Sequence, residues 1–258
     1  MSEDKVIFHT ENLTKNFDGL RAIDNLDMSV LAGKIHGLIG PNGAGKTTFF
    51  NLVTGILPVT SGRMFFQSKE IANLKPHQIC RIGITRTFQA GKIDPNMTTL
   101  ENVMAGFYSR TKVDILGTFL RLPFKKSKQE NGIKTEAHSL LKLVGLSESA
   151  EKRAEDLVWM ERQLVQIARA IAARPKLLLL DEPTSGMGEE ESVRVEKIIR
   201  QINQEFGTTV IVISHDIRLV SDISDWVTCI NFGQKISEGD PKEIQNDPRV
   251  LEAYLGKD

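Results

Sequence analysis

The sequence predicts an α/β protein with a mainly parallel central sheet, and three features of the chain support that prediction. An apolar run at 35–39 leads directly into a glycine-rich segment, 40–48, whose second half begins a helix-like stretch. Four consecutive leucines at 177–180 and the β-branched run 208–213 are typical of strands that are buried on both faces of a parallel sheet. Both runs end in polar or charged residues, which such a sheet would place at its carboxyl edge.

Length and composition are compatible with one large α/β domain that carries a subdomain. The 258 residues are sufficient to bury a large core, and 33 basic residues balance 33 acidic ones, so no excess charge indicates nucleic acid as a partner. The two cysteines, Cys80 and Cys229, lie far apart, which predicts a reducing compartment without a disulfide framework. Neither an apolar signal segment nor a run of the ~20 apolar residues that span a bilayer occurs, so membrane association is expected to require a partner.

The glycine-rich segment has the pattern G-x-x-x-x-G-K-[ST], which is typical of phosphate-binding loops. Glycine accepts a positive φ and lets the backbone approach a phosphate, so that consecutive N–H groups converge on it at the start of the helix. The lysine would place its charge on the β- and γ-phosphates, and the next hydroxyl would ligate Mg²⁺. The sequence therefore predicts a site for a nucleoside triphosphate with magnesium. We call residues 40–48 the phosphate loop; they are Gly40, Pro41, Asn42, Gly43, Ala44, Gly45, Lys46, Thr47 and Thr48.

The N-terminal part of the chain is predicted to form strands. Runs 6–9 and 26–30 have strand composition, the second with alternating apolar and polar residues, and 64–66 is a further strand. Phe17 lies in a turn-rich stretch between the first two strands, where its ring could stack on an adenine base or pack in the core. Gln89 precedes a loop, where its amide could reach a magnesium ion or an attacking water, or simply be solvated.

The middle of the chain is predicted to be helical. The prediction covers 99–142, with an interruption at Gly117, and continues through 144–174. After the last buried strand, 227–238 is predicted to form a hairpin and 241–255 a polar helix. The helical middle is therefore expected to be flanked by the strands of the sheets.

Two carboxylates follow one of the buried strands and a histidine follows the other. Asp181 and Glu182 come directly after the leucine run, and His215 comes after the β-branched run. Because ligands of open α/β sheets bind beyond the carboxyl ends of the strands, we expect these side chains near the phosphate loop. Asp181 then suits the second shell of a magnesium ion, Glu182 the polarisation of an attacking water, and His215 a contact with the γ-phosphate. The alternative is a strand-end pair that caps the next helix, with a histidine that has a structural role.

The order of these motifs resembles that of the ATP-binding subunits of ABC transporters over nearly the whole chain. The phosphate loop is followed by Gln89, by IARA at 167–170, by LLLLDEPTSG at 177–186 and by SHD at 214–216. The resemblance implies a single ABC ATPase domain, with a P-loop NTPase core, an antiparallel β subdomain and a helical subdomain. The implied ranges are approximately 1–90 and 175–258 for the core with the β subdomain, and 91–174 for the helical signature subdomain.

The resemblance also implies ATP and Mg²⁺ as cofactors and a role for each motif. Phe17 would stack on the adenine base, and the phosphate loop would hold the phosphates and the metal ion. Gln89 would sense magnesium and contact the membrane subunit. The implied catalytic set is Glu182, His215 and Gln89, and the implied metal set is Thr47, Gln89 and Asp181.

The C-terminal stretch DPRVLEAYLG at 247–256 and the insertion around 111–126 resemble the branched-chain amino-acid importers within that family. The expected function is therefore an ATPase subunit that powers the import of branched-chain or related amino acids. The resemblance implies head-to-tail pairing with a second ATPase subunit, binding to transmembrane permease subunits, and an indirect connection to a periplasmic or extracellular solute-binding protein. The expected location is the cytoplasmic face of the cell (inner) membrane, as a peripheral subunit.

The chain departs from the family in the segment that each ATPase subunit offers to its partner. Aligned through IARA, residues 157–161 (LVWME), here called the signature segment, stand where the family has Leu-Ser-Gly-Gly-Gln. Val158 replaces the serine and loses a hydroxyl donor, and Met160 replaces a glycine and adds bulk where backbone should approach a phosphate. Because the elements that serve the chain's own ATP are intact, we expect a heterodimer with unequal sites rather than a homodimer.

Three other functions stay open on the sequence alone. A nucleotide-gated ABC module with little turnover is compatible with the altered signature segment. A soluble ABC ATPase that acts on ribosomes or DNA usually has tandem ATPase domains or long coiled coils, and neither fits in 258 residues. A phosphate-loop kinase would require an arginine-rich lid instead of strand-end carboxylates and a strand-end histidine.

Overall fold

The computed structural model describes residues 5–88, 93–109 and 123–255. The chain divides into two compact units, Met1–Arg86 with Lys176–Asp258, and Thr87–Pro175. Gln89, Gly117 and residues 111–122 of the predicted insertion lie outside the described residues. In the part of the chain that is described, no helix is both long enough and apolar enough to cross a bilayer.

An antiparallel sheet occupies the N-terminal part of the first unit, as the predicted fold class requires. Its first two strands are longer than predicted, because β-bulges carry the pairing through turn-like residues such as Asn12, which has a φ of 47°. The strands are β1 (Val6–Phe17), β2 (Leu20–Leu31), β4 (Ser61–Phe66) and β5 (Lys69–Glu70), in the spatial order β2-β1-β4-β5.

A six-stranded sheet forms the remainder of the strand structure in this unit. Its strands are β3 (Ile35–Ile39), β6 (Ile84–Arg86), β7 (Leu177–Asp181), β8 (Thr209–Ile213), β9 (Trp226–Asn231) and β10 (Gln234–Gly239), in the order β10-β9-β3-β8-β7-β6. All neighbours pair in parallel except β9 and β10, which form the predicted hairpin. Every residue of β3, β7 and β8 is buried, which explains why their sequences are mainly apolar.

The core of this unit fixes the helix that follows the phosphate loop. Phe49 and Phe50 of this helix are fully buried, and the ring of Phe49 meets the edge of Phe8 from β1 at a centroid distance of 6.1 Å. The same apolar cluster includes Leu38 of β3 and Ile211 of β8. Packing against both sheets therefore holds the start of the helix, and the loop before it, in one place.

The helices of the first unit differ from the sequence prediction at the C-terminus. The single helix predicted for 241–255 is wrong, because Asp247 interrupts it and Pro248, which has no N–H, starts a new helix. The helices are α1 (Lys46–Val53), α2 (Pro76–Ile82), α6 (Glu189–Phe206), α7 (Ile217–Ile223), α8 (Pro241–Gln245) and α9 (Pro248–Leu255).

The described residues of the second unit are mainly helical. The prediction of continuous helix over 144–174 is wrong, because Gly145, at a φ of 71°, ends one helix and the chain then passes through two short 3₁₀ turns. The α-helices here are α3 (Thr99–Ala105), α4 (Pro123–Leu143) and α5 (Trp159–Ala172).

Candidate nucleotide-binding site

The phosphate loop joins β3 to α1, and its three glycines have positive φ angles. These angles are 154° at Gly40, 81° at Gly43 and 105° at Gly45. A Cβ atom would lie 2.1 Å from the carbonyl oxygen of Ile230 at Gly40, and 2.5 Å from that of Ala22 at Gly45. At Gly43 a Cβ would meet nothing within 4 Å. The first and third glycines thus allow close packing against neighbouring strands, whereas Gly43 faces open space.

A buried lysine lies at the start of α1. The Nζ atom of Lys46 donates to the carbonyl oxygens of Gly40, at 2.6 Å, and Pro41, at 2.9 Å. Burial lowers the pKa of Lys46, and the negative charges of Glu182 and Asp181 act in the opposite direction. The ammonium group is therefore held inside the loop, within the electrostatic reach of both strand-end carboxylates.

The other residues of the phosphate loop differ in how far they are exposed to solvent. Ala44 is buried, and its carbonyl accepts a hydrogen bond from the N–H of Gly233 in the β9–β10 turn, at 2.9 Å. Asn42 and Thr47 are exposed, and Pro41 and Thr48 are half-buried. Thr47, in the first turn of α1, therefore lies at the surface, where a ligand could reach it.

The two carboxylates lie at the carboxyl end of β7. Asp181 is the buried last residue of the strand, and the N–H of Glu182 donates to the carbonyl of Ile213 in β8 at 2.9 Å. Glu182 has a φ of 47°, a left-handed conformation that typically costs a non-glycine residue about 1–3 kcal/mol. Such strain persists only where the surrounding structure enforces it, and it is frequent at functional sites.

Asp181 is held by a residue that the sequence analysis missed. Arg86, at the end of β6, donates to the Oδ2 atom of Asp181 at 2.7 Å, and the two side chains are 4% and 1% exposed. The same guanidinium donates to the side chain of Asn51 in α1 at 2.6 Å and lies over the ring of Phe50. Burial raises the pKa of Asp181, while the hydrogen bond and charge of Arg86 oppose this effect. The available signal in the sequence was an arginine at the end of the short β-branched stretch that begins at Ile84.

The structure brings four of the predicted site residues together at the carboxyl edge of the sheet. Besides Lys46, Asp181 and Glu182, this group includes His215, whose Nδ1 atom lies 3.6 Å from Oε1 of Glu182. Phe17, by contrast, lies at the end of β1, partly exposed, with the Nζ atom of Lys15 at 4.9 Å from its ring centroid.

Comparison with known families shows to which family this chain belongs. A family model described as "ABC transporter" matches residues 23–185, more than half of the chain. The chain belongs to the ABC transporter family. Members of this family are ATP-binding proteins whose ATPase activity is coupled to transport. A second model, described as "Branched-chain amino acid ATP-binding cassette transporter", matches residues 234–258 of this ABC ATPase.

Relatives and solved structures agree with this assignment and cover nearly the whole ABC ATPase. It is 33% identical to the high-affinity branched-chain amino acid transport ATP-binding protein LivG of Escherichia coli, over 97% of this chain and 98% of LivG. It is 34% identical to BraF of Pseudomonas aeruginosa, which has the same description, again over 97% and 98% of the two chains. A crystal structure of a nucleotide-free ATP-binding cassette from an ABC transporter superposes with a TM-score of 0.85 at 30% identity, covering 98% of this chain and 100% of the other. The predicted fold class and family resemblance are thus confirmed.

The signature segment of this ABC ATPase forms the start of α5 in the second unit. Val158 precedes the helix and Trp159 begins it, and their side chains are 61% and 43% exposed. The N–H of Val158 donates to the carboxylate of Glu161 at 3.1 Å, and the guanidinium of Arg162 donates to the carbonyl of Leu157 at 2.8 Å. The start of α5 is therefore held by these hydrogen bonds, and it exposes apolar side chains.

Proposed function

We propose that this ABC ATPase binds ATP with Mg²⁺ at the phosphate loop and hydrolyses it to power an importer of branched-chain or related amino acids. The observation that carries the proposal is the buried ammonium of Lys46, enclosed by loop carbonyls and under the influence of Asp181 and Glu182. The names of the two relatives and the family match over 234–258 support the class of solute.

Three features of the phosphate loop fit a triphosphate. Gly43 faces open space, so the backbone there can approach a ligand closely. Helix α1 has no acidic residue in its first turn, which leaves its N-terminal N–H groups and positive dipole end for an anion. Lys46 would exchange two neutral carbonyl acceptors for phosphate oxygens, and charge-assisted hydrogen bonds to phosphate are the stronger ones.

The residues at the carboxyl edge also suit a magnesium ion. Proteins hold Mg²⁺ with one or two side-chain oxygens together with phosphates and water, so Thr47 and Asp181 would be sufficient protein ligands. Arg86 keeps the Asp181 carboxylate in place. The bound ion would neutralise charge on the β- and γ-phosphates. Gln89 is proposed to sense the ion, and Phe17 to stack on the adenine base.

Glu182 is proposed to polarise the attacking water, with His215 beside it. The Glu182 carboxylate is mostly shielded from solvent and directed by a strained backbone, and the His215 ring lies at its Oε1 atom. From that position His215 would contact the γ-phosphate and orient Glu182. This assignment makes residues 1–90 and 175–258 the nucleotide-binding core with its β subdomain, and 91–174 the helical signature subdomain.

We also propose that the subunit acts as half of a heterodimer. In a head-to-tail pair, the site built on Lys46 and Glu182 would use the partner's signature and turn over normally. The partner's site would face Val158, which has no hydroxyl, and Met160, and would turn over slowly. The dimer would bind permease subunits at the cytoplasmic face of the membrane, and through them a solute-binding protein outside.

Copurification from membranes tests this assignment most broadly. A tagged chain, expressed from its own locus and extracted in mild detergent, should carry along one different ATPase subunit and at least one integral membrane permease. Recovery of the chain as a homodimer, or bound to ribosomes instead of membrane proteins, would contradict the proposal.

The altered signature segment favours one second candidate, a nucleotide-gated module with little turnover. The purified complex distinguishes the two functions. Continuous phosphate release, stimulated by solute and its binding protein, supports an energy-coupling ATPase. Nucleotide gating would instead be supported by tight ATP binding together with phosphate release that does not depend on solute and is slower than solute transport.

A further inference from the structure

The C-terminal helix ends on the phosphate loop. The hydroxyl oxygen of Tyr254, in the last turn of α9, accepts a hydrogen bond from the N–H of Gly40 at 2.8 Å. These residues lie 214 positions apart in the chain, and Gly40 is the first residue of the phosphate loop. A side chain from the tail therefore reaches the point where β3 turns into the loop.

This hydrogen bond is one of two that hold the backbone of Gly40 in place. The carbonyl of Gly40 accepts from the Nζ atom of Lys46 at 2.6 Å, so the peptide groups on both sides of its Cα atom are held by a side chain. The carbonyl oxygen of Ile230 also lies close to Gly40, where a Cβ atom would point, and restricts movement of the residue on that side. Because Gly40 has a φ of 154° that no other residue type readily adopts, its two hydrogen bonds help to define the start of the loop.

Helix α9 is itself anchored to β10, so that the position of Tyr254 is well defined. The carboxylate of Asp247 accepts from the N–H of Arg249 at 2.9 Å, from the Arg249 guanidinium at 2.7 Å, and from the hydroxyl of Ser237 in β10. The Arg249 and Ser237 hydrogen bonds hold the pKa of Asp247 well below its usual range. Val250, one turn before Tyr254, is fully buried.

We propose that Tyr254 is a positioning residue for the nucleotide site: its hydroxyl holds Gly40, and thereby sets the geometry of the phosphate loop and of Lys46. The proposal rests on the proposed function, because it concerns the same site. Burial raises the pKa of the Tyr254 phenol, so the group that accepts from the Gly40 N–H is the neutral hydroxyl. Docking of α9 and binding of nucleotide are then reciprocally coupled, since each favours the same loop geometry.

The first test measures the loop itself, in the full-length chain without nucleotide. Tyr254→Phe removes only the hydroxyl. The matched control is Tyr108→Phe, the same change at the other of the chain's two tyrosines, which is 73% exposed. We expect the Gly40 amide hydrogen to exchange with solvent at least about tenfold faster in Tyr254→Phe than in the wild type, because the donor has lost its acceptor. Equal exchange in the two proteins would overturn the proposal.

The second test measures affinity and turnover. We expect Tyr254→Phe to raise the dissociation constant of ATP about five- to tenfold, as loss of one hydrogen bond permits, and Tyr108→Phe to leave it unchanged. In the assembled complex the KM for ATP should rise with little change in kcat. If Tyr254→Phe lowered the melting temperature but left the ATP affinity unchanged, Tyr254 would have only a structural role. The proposed function would still stand in that case, because it requires only that the wild-type protein binds ATP.

A third variant keeps the proposal testable if Tyr254→Phe folds poorly. Ser237→Ala leaves Tyr254 in place but removes two hydrogen bonds from the anchor of α9: the one that the Ser237 hydroxyl donates to Asp247, and the one that it accepts from the Arg249 guanidinium at 3.4 Å. We expect a smaller effect in the same direction, with faster Gly40 exchange and an ATP dissociation constant raised about two- to threefold. Release of α9, detected by proteolysis of the tail, without any change at Gly40 would contradict the coupling.

Discussion

Helices α1 and α5 both begin without a hydrogen bond from a capping side chain, and their N-termini are completed in different ways. Before α1 stands Gly45, in a left-handed conformation, and no acidic residue follows in the first turn. Before α5 stands Val158, and the carboxylate of Glu161 in the first turn accepts from its N–H. The free N–H groups of α1 are thus left for an external anion, whereas α5 supplies an anion of its own.

The two N-termini therefore differ in what they could offer to an anion. At α1 the glycines remove side chains and Lys46 adds a buried charge. At α5 the exposed side chains of Val158 and Trp159 are apolar. Under the proposed function, an anion would find matched donors at the phosphate loop, whereas the signature segment presents an apolar surface. The predictions below test both halves of this contrast.

The largest effect is expected at the carboxylate that serves the phosphate loop. Glu182→Gln keeps the shape of the side chain but removes its basicity, so turnover should fall by about 10²–10⁴-fold while ATP still binds. Phosphate release by the assembled complex and ATP binding by the subunit give the two readings. The control, Glu190→Gln, alters an exposed glutamate in the first turn of α6 and should retain full turnover. Normal turnover by Glu182→Gln would remove Glu182 from the mechanism.

The second effect concerns stability beside the loop. Arg86→Ala would leave the buried Asp181 carboxylate without its guanidinium partner, and breaking a buried pair in this way typically costs about 3–5 kcal/mol. Urea unfolding measures the loss in free energy of unfolding. Arg63→Ala, which breaks the exposed pair with Glu11, is the matched control and should cost only about 0–1 kcal/mol. Equal costs for the two variants would show that the Arg86 pair is not a structural support of the site.

The smallest effect is expected from converting the signature segment. Val158→Ser combined with Met160→Gly restores a hydroxyl and removes bulk, so turnover by the assembled complex should rise, by up to about twofold, as a second competent site joins the first. Val193→Ser, at an exposed valine in α6, is the control and should change nothing. Unchanged turnover in the double variant would contradict the unequal-site hypothesis, and so would rapid hydrolysis by the purified chain alone.

The sequence predicted the parts of this fold and site that depend on neighbouring residues. The phosphate loop is a contiguous sequence pattern. The leucine run before Asp181 and Glu182 predicts a buried strand whose end carries the two carboxylates. The hydrogen bonds from Arg86 to Asp181 and from Gly40 to Tyr254 join residues 95 and 214 positions apart, which no local pattern reveals. The break after Gly145 was missed because the apolar spacing on both sides of it is helical, and a glycine near the end of such a segment is only one of several possible stops.

The most direct test of the central claim is ATP binding by Lys46→Ala. In calorimetric titrations of the purified chain with MgATP, loss of the buried ammonium should raise the dissociation constant at least about 100-fold, because charge-assisted hydrogen bonds to phosphate are lost. Lys69→Ala, at an exposed lysine in β5, should bind ATP like the wild type. A Lys46→Ala variant that binds MgATP with wild-type affinity would contradict the assignment of the phosphate loop as the nucleotide site.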